Sequence, residues 1–274
     1  MRRHPILFPA LLAAAVLASI GAGCGGDDED EGGDGTSPGG TRIAEATIVK
    51  GSGDITEAVG RYRRLLGVDN GDGPTGDPAG RRELNWDKVP DERAAPKFLP
   101  SEFFNAKEAP RARGARLETP GKGVVVSADS DNPSGAAPRF GHINPSYSEQ
   151  FKTFSRERLF SPVGSNVVDL RFNVPGTDTP GVVRGFGAVY TDVDKKENTA
   201  FEYFDASGKS LGQYATPVSS NGLSFLGVVF ERPVVARVRI EYGSGKLGPD
   251  ESADYDVAVM DDFIYGEPRP AGSG

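Results

Sequence analysis

The side chains of this sequence that could do chemistry are mainly aspartates in pairs. Asp192 and Asp194 are two residues apart, so they point to one side of any strand that continues through them. Asp261 and Asp262 are adjacent, so they should point to opposite faces of a strand. A carboxylate facing an apolar core needs a partner, and calcium takes oxygen ligands of this kind. We predict either a structural calcium site or hydrogen-bonded strand-end aspartates, and the candidate ligands are Asp87, Asp192, Asp194, Asp261 and Asp262.

Other catalytic groups are scarce. The chain has one cysteine, Cys24, and two histidines, of which only His142 lies beyond a predicted signal peptide. A zinc site of several histidines or cysteines is therefore excluded in the mature chain, and a Ser-His-Asp triad would depend on His142. Glycoside hydrolysis needs two carboxylates, which Asp192, Asp194 or Glu202 could supply, but nothing singles out an acid and a base. We predict no catalytic residues.

Aromatic side chains are the remaining candidates, because their faces stack on sugar rings as well as filling a core. Trp86 is in phase with an alternating strand pattern, which favours the core. Tyr147, Phe151, Phe154 and Phe160 cluster in a loop-rich region. This cluster could either pack in the core or form an exposed platform for a sugar. The sequence therefore assigns no ligand-binding residue.

The N-terminal segment has the order of a secretory signal. Two arginines near the start precede an apolar run, Ile6 to Ile20, and small residues precede Cys24. The stretch GAGC resembles the bacterial lipobox, although Gly21 stands where a leucine-like residue is usual. We predict that residues 1–23 are a lipoprotein signal peptide and that Cys24 is lipidated, which would anchor the protein to the extracytoplasmic face of the cell membrane.

Residues 24–41 are predicted to be a disordered, acidic, glycine-rich tether. The net charge of the chain is −8, and six acidic residues lie between positions 25 and 41. A segment with no apolar side chains cannot bury enough surface to offset its chain entropy. The rest of the chain is mildly acidic and has no basic patch, which argues against a nucleic-acid partner.

Residues 42–81 are predicted to hold a helix and a glycine-rich loop. The loop has the glycine spacing of a dinucleotide fingerprint, but it follows a helix instead of a strand. An EF-hand also fails there, because glycines occupy positions that need oxygen ligands. Gly67 is placed to end the helix. One helical face carries the apolar residues Ile55, Val59, Tyr62 and Leu66.

From residue 82 to residue 268 the chain is predicted to form an antiparallel β-sandwich. Apolar and polar residues alternate in several short runs, and turn signals such as Asn221-Gly222 separate these runs. The run 223–230 is apolar on both faces, which predicts a central strand. Residues 269–274 are predicted to be a disordered tail.

The C-terminal half also resembles a known class of domain. Its runs GFGAVYTDVD, AFEYFDASGKSLGQY, LSFLGVVF, ARVRIEYG and DVAVMDDFIYGEP are similar to exported bacterial galactose-binding-like jelly-roll domains. Such domains occur in surface proteins, including those with PEP-CTERM sorting tails, and the resemblance covers roughly residues 81–268. It implies a mostly β, jelly-roll-like sandwich, here with one short N-terminal helix, and modules of this kind with known roles bind carbohydrate and hold a structural calcium.

These observations predict a membrane-anchored surface lipoprotein with a non-catalytic binding or cell-envelope module. A cell-surface or environmental glycan is the partner that the resemblance suggests, although fold analogy does not transfer a site. The alternatives are a carbohydrate-active hydrolase and a purely structural envelope protein. An exposed aromatic platform would favour binding, whereas a deep cleft with two facing carboxylates would favour hydrolysis.

Overall fold

The computed structural model describes residues 45–250 and 254–272. The predicted signal peptide (1–23), the predicted tether (24–41) and the lipidation site Cys24 lie outside the described residues, so these stay predictions. No helix in the described part of the chain is long and apolar enough to cross a membrane.

The described residues form mainly strands. In chain order the strands are β1 (Ala46–Ser52), β2 (Arg81–Leu84), β3 (Phe104–Asn105), β4 (Ala112–Glu118), β5 (Gly123–Val126), β6 (Phe160–Val163), β7 (Val167–Phe172), β8 (Gly181–Val182), β9 (Gly185–Val193), β10 (Ala200–Phe204), β11 (Ser210–Ala215), β12 (Ser219–Phe230), β13 (Arg237–Glu241), β14 (Val259–Gly266) and β15 (Arg269–Pro270). The helices are α1 (Thr56–Leu66) and α2 (Tyr147–Gln150), and 3-10 turns lie at Trp86–Lys88 and Asp91–Arg93.

The strands pair into two main sheets. The seven-stranded sheet has the order β1-β12-β9-β14-β6-β5, and β2 pairs with one end of β14. The six-stranded sheet has the order β11-β10-β13-β7-β4-β3, and β15 and β8 form a small separate pair. Pairing between these strands is antiparallel. The predicted mostly β, antiparallel sandwich with a short N-terminal helix is confirmed.

The main core lies between the two sheets. Phe186 on β9 meets Phe201 on β10 with ring centroids 5.0 Å apart. The Tyr203 hydroxyl on β10 crosses the same space and donates to the Phe186 carbonyl oxygen at 2.8 Å. The sheets are therefore joined by aromatic packing and by a buried hydroxyl of one sheet that finds its acceptor on the other.

Trp86 lies in this core, as its sequence phase predicts. Its ring stacks on Phe160 with centroids 4.3 Å apart and meets the Phe263 ring edge to face at 4.9 Å. The indole N–H donates to the Asp261 carbonyl oxygen at 2.6 Å. Three members of the loop-rich aromatic cluster are also fully buried, namely Tyr147, Phe151 and Phe160, so they fill core instead of forming a platform.

The seven-stranded sheet is buried on both faces because α1 covers its outer face. Tyr62 of α1 lies directly on the sheet backbone, and its ring meets Phe225 at 5.3 Å. A Cβ atom at Gly227 would come within 2.5 Å of the Tyr62 ring, and one at Gly187 within 2.8 Å. These glycines leave the slot that the ring occupies. This second layer explains why residues 223–230 are apolar on both sides.

The predicted limits of the sandwich need two corrections. β1 pairs along its whole length with β12, so the sandwich begins before the helix and the division into 42–81 and 82–268 does not hold. The sequence concealed this edge strand because Thr47, Ile48 and Lys50 are all exposed, which removes the alternation. At the other end, β15 pairs with β8, so the segment 269–274 contains an ordered strand instead of being a wholly disordered tail.

Candidate functional site

Three of the five candidate aspartates, Asp87, Asp261 and Asp262, form hydrogen bonds with one loop. We call residues 152–158, which lead from α2 to β6, the strap. The backbone N–H groups of Phe154 and Ser155 donate to Asp261 Oδ2 at 2.6 and 3.2 Å. No strand lies within the strap, so a side-chain carboxylate supplies the acceptors that a neighbouring strand would otherwise offer.

Asp87 holds the other end of the strap. Its Oδ1 atom accepts the backbone N–H groups of Glu157 and Arg158, each at 3.0 Å. Strand β2 ends at Leu84, and Asp87 lies in the 3-10 turn that follows. The tight turn aims the carboxylate at the strap, so Asp87 is a loop anchor in this fold.

Ser155 joins the two aspartates of β14. Its Oγ atom lies 2.9 Å from Asp261 Oδ1 and 2.8 Å from Asp262 Oδ1, and both aspartates are almost fully buried. A hydroxyl has one hydrogen to donate, so it cannot donate to both carboxylate oxygens at once. Both contacts are satisfied as hydrogen bonds when one carboxyl of the pair carries a proton and donates it to the serine oxygen.

The buried environment favours this shared proton. Burial raises the pKa of Asp261 well above its ordinary value, and the charge of Asp262 acts in the same direction. Burial also raises the pKa of Asp262, while the Ser155 hydroxyl opposes that rise. Because two carboxylates so close together cannot both ionise cheaply, the proton belongs to the pair and not to one member.

Helix α1 and strand β2 complete the surroundings of this pair. Arg63 of α1 binds Glu83 of β2 through two hydrogen bonds of 2.9 and 2.6 Å. Its guanidinium lies 3.9 Å from Asp262 Oδ2 and 5.9 Å from the centre of the Phe154 ring. Asp262 is therefore the point at which α1, β2 and the strap meet.

The expectation that Asp261 and Asp262 face opposite ways is wrong. The pairing of β14 with β9 shifts register between Met260 and Phe263, which marks a β-bulge. A bulge interrupts the alternation of side chains, and both carboxylates consequently reach Ser155. A strict period of two could not have predicted this convergence.

Asp192 and Asp194 form a separate acidic cluster with Asp256, which the sequence did not single out. Asp192 Oδ1 accepts the backbone N–H of Asn221 at 2.6 Å, and Asp256 accepts those of Asp194 and Lys195 at 3.3 and 3.0 Å. Burial raises the pKa of Asp192 to about 6, opposed by the Asn221 N–H and reinforced by the charges of Asp194 and Asp256. The carboxylates of Asp192 and Asp256 thus also anchor backbone N–H groups.

Two cavities flank Asp87, with volumes of about 580 and 410 Å³. Arg156 of the strap lines both of them. In the larger cavity, Asp72 is paired with Arg113 at 2.6 Å and with Lys88 at 2.9 Å. The charged side chains of this cavity are thus largely neutralised by ion pairs with one another.

The five candidate calcium ligands are not gathered into one group. Across residues 45–250 and 254–272, no three His, Cys, Asp or Glu side chains are arranged to hold a metal ion. Asp87 Oδ2 and Asp129 Oδ1 are buried without a hydrogen-bond partner among the described residues, and both residues line the smaller cavity. Calcium binding stays a prediction.

A third cavity, of about 670 Å³, is lined by none of the strap residues and lies beside Asp256, whose chain neighbours Tyr255 and Val257 line it. We call it the Tyr255 cleft. Tyr255 is 57% exposed, in contrast to the buried tyrosines of the core, and it lines the cleft together with Val257. The polar side chains of the wall include Asn166, Lys246 and Asp250. An exposed ring beside donors and acceptors is the arrangement in which a sugar stacks and hydrogen-bonds.

Sequence reasoning missed Tyr255 because it looked for aromatic clusters. The residue stands alone in a polar, glycine- and aspartate-containing stretch that shows no strand alternation. An isolated aromatic residue in such a stretch has few apolar neighbours to pack against, so it is expected to be exposed. This expectation is the signal that could have identified Tyr255.

The shared proton predicts a loss of stability as pH rises. Both aspartates have raised pKa values in the folded protein, so the native state binds more protons than the unfolded chain above about pH 4. As the pH rises above about 4, the free energy of unfolding should fall by about 1.4 kcal/mol for each pH unit. The fall should stop once the pH exceeds the folded-state pKa of the pair. Asp262→Asn should reduce this fall, because the amide can donate to Ser155 without a shared proton.

Urea titrations of wild type and Asp262→Asn across this pH range measure the effect. Asp178→Asn, in an exposed turn, is the matched control and should follow wild type. Parallel losses of stability in all three proteins would show that the pair holds no proton.

Comparison with known proteins gives little. No family model matches the sequence, and no curated protein matches it. Among solved structures, the enzymatically active domain of tailspike protein 4 of bacteriophage CBA120 aligns at 12% identity over 73% of this chain and 23% of that chain, with a TM-score of 0.23. At so low a TM-score the likeness supports neither a shared fold nor a shared activity.

Proposed function

We propose that this chain is a lipoprotein, anchored to the extracytoplasmic face of the cell membrane, whose β-sandwich is a non-catalytic carbohydrate-binding module. Cys24 carries the lipid and residues 25–41 tether the domain. The Tyr255 cleft is the ligand site, and its partner is a cell-surface or environmental glycan. The single observation that carries the binding role is the exposed Tyr255 ring in a polar cleft.

The contents of the cleft match what a sugar needs. The Tyr255 ring offers an apolar face, whereas Val257 at the base of the cleft is buried in the core. Lys246 and Asp250 are exposed and offer charged hydrogen-bond partners for hydroxyl groups. Asn166 is fixed by its Nδ2 bond to the Gly243 carbonyl oxygen at 2.8 Å, which orients its side-chain oxygen. A small number of placed polar groups beside apolar surface is typical of ligand sites.

The positions of the carboxylates support a non-catalytic role over the hydrolase alternative. Glu202 lies on β10 of the six-stranded sheet, whereas Asp192 is on β9 of the other sheet. Asp261 and Asp262 are closely spaced, but they are buried and bound to Ser155 of the strap. A glycosidase needs its acid and base on either side of an open cleft, and the Tyr255 cleft has one lining carboxylate, Asp250, among the described residues.

Tyr255→Ala should weaken glycan binding. Loss of a stacked ring costs about 1.4 kcal/mol, which is roughly a tenfold increase in Kd. The glycan is chosen by an array screen of the detergent-solubilised protein with and without calcium, and its Kd is then measured by calorimetry. Phe98→Ala is the matched control, because Phe98 is similarly exposed at 48% but lies outside the cleft.

Three outcomes are informative. Loss of affinity in Tyr255→Ala alone supports the cleft as the binding site. Equal affinity in wild type and Tyr255→Ala would place any glycan site elsewhere. Absence of binding to the whole array in both calcium conditions would argue for the purely structural envelope role.

The anchor has its own test. Wild type should enter the detergent phase in detergent partitioning, whereas Cys24→Ala should remain in the aqueous phase because it lacks the acyl chains. Mass spectrometry of the N-terminal peptide identifies the lipid. Aqueous partitioning of both proteins would contradict lipidation at Cys24.

A further inference from the structure

We propose that Asn221 is a site of spontaneous deamidation that converts it to aspartate and isoaspartate. The chain has two Asn-Gly pairs, Asn70-Gly71 and Asn221-Gly222. Asn221 is exposed and has a positive φ of 51°. It lies where the pairing of β12 with β9 shifts register between Ser219 and Leu223, so it stands in a bulge.

The reaction needs only the chain and water. The backbone nitrogen of Gly222 attacks the side-chain carbonyl carbon of Asn221, and a new carbon–nitrogen bond forms. The bond from that carbon to Nδ2 breaks, and the side-chain nitrogen leaves as ammonia with the proton of the Gly222 amide. Water then opens the resulting succinimide at either of its carbonyl carbons, which gives aspartate or isoaspartate.

The surroundings of Asn221 leave its side chain free to react. Within the described part of the chain, its side-chain amide makes no hydrogen bond, and only its backbone N–H is held, by Asp192 at 2.6 Å. Gly222 has no Cβ atom to crowd its nitrogen, and glycine permits the backbone rotation that ring closure requires. Asparagine is thermolabile for this reason, and a following glycine removes the main steric barrier.

Asn70 provides an internal comparison, because it has the same neighbour but a fixed side chain. Its Nδ2 donates to the Asp77 carbonyl oxygen at 2.9 Å and to Glu267 Oε2 at 2.7 Å. Its Oδ1 accepts the Asp77 N–H at 2.9 Å. Ring closure at Asn70 would have to break these bonds, so the folded protein protects it.

Conversion of Asn221 would act on the neighbouring acidic cluster. Aspartate at position 221 adds a carboxylate to the residue whose N–H binds Asp192, in a region that already holds Asp194 and Asp256. Isoaspartate also lengthens the backbone within the bulge. Both products should weaken the contact between the β12 bulge and the end of β9.

The test is ageing of the full-length, detergent-solubilised protein in mildly alkaline buffer, with and without urea. Proteolytic peptides that contain Asn70 and Asn221 are followed by mass spectrometry, with isoaspartate identified by its fragmentation. In the folded protein Asn221 should convert at least roughly tenfold faster than Asn70, and in urea the two rates should become similar. Gly222→Ala should slow conversion at Asn221 in urea as well.

Two results would overturn the proposal. The first is equal conversion of Asn70 and Asn221 in the folded protein. The second is an unchanged Asn221 in the folded protein over a period in which both residues convert in urea.

Discussion

The backbone N–H groups of the strap between α2 and β6 need hydrogen-bond acceptors. The arrangement of the surrounding carboxylates follows from this need. The strap contains no strand, yet it crosses a sheet that is buried on both faces. Asp261 and Asp87 supply the oxygens, one near each end of the loop. Asp261 is fully buried, and a buried carboxylate is costly unless it is hydrogen-bonded, so the N–H groups of the half-buried Phe154 and Ser155 satisfy it while it satisfies them.

This constraint accounts for several features that would otherwise look like a site of catalysis. The β14 bulge brings Asp261 and Asp262 to one serine, and the shared proton lets two acids lie side by side in the core. Arg63 ties the helix to β2 at the same point. Asp261 and Asp262 thus serve to anchor the strap. The exposed Tyr255 lines a different cavity.

Period-two alternation was sufficient to predict the sandwich, because strands such as β7 and β13 expose one polar face. The helix was also predictable, since Val59, Tyr62 and Leu66 share the buried face. β1 was missed because an exposed edge strand has no alternation to detect. The Ser155 contact joins residues 106 positions apart through a bulge, and no local pattern encodes such a contact. Tyr255 could not be placed from sequence because exposure is decided by the loops around it.

The central claim is that Asp261 and Asp262 share a proton and thereby hold the strap. The carboxyl carbon chemical shifts of these two residues, followed by NMR from acid to alkaline pH in metal-free buffer, test it directly. The structure predicts two separate titration steps, one of them well above the ordinary aspartate pKa of about 3.9. Titration of both carboxyls together near that ordinary value would contradict the shared proton.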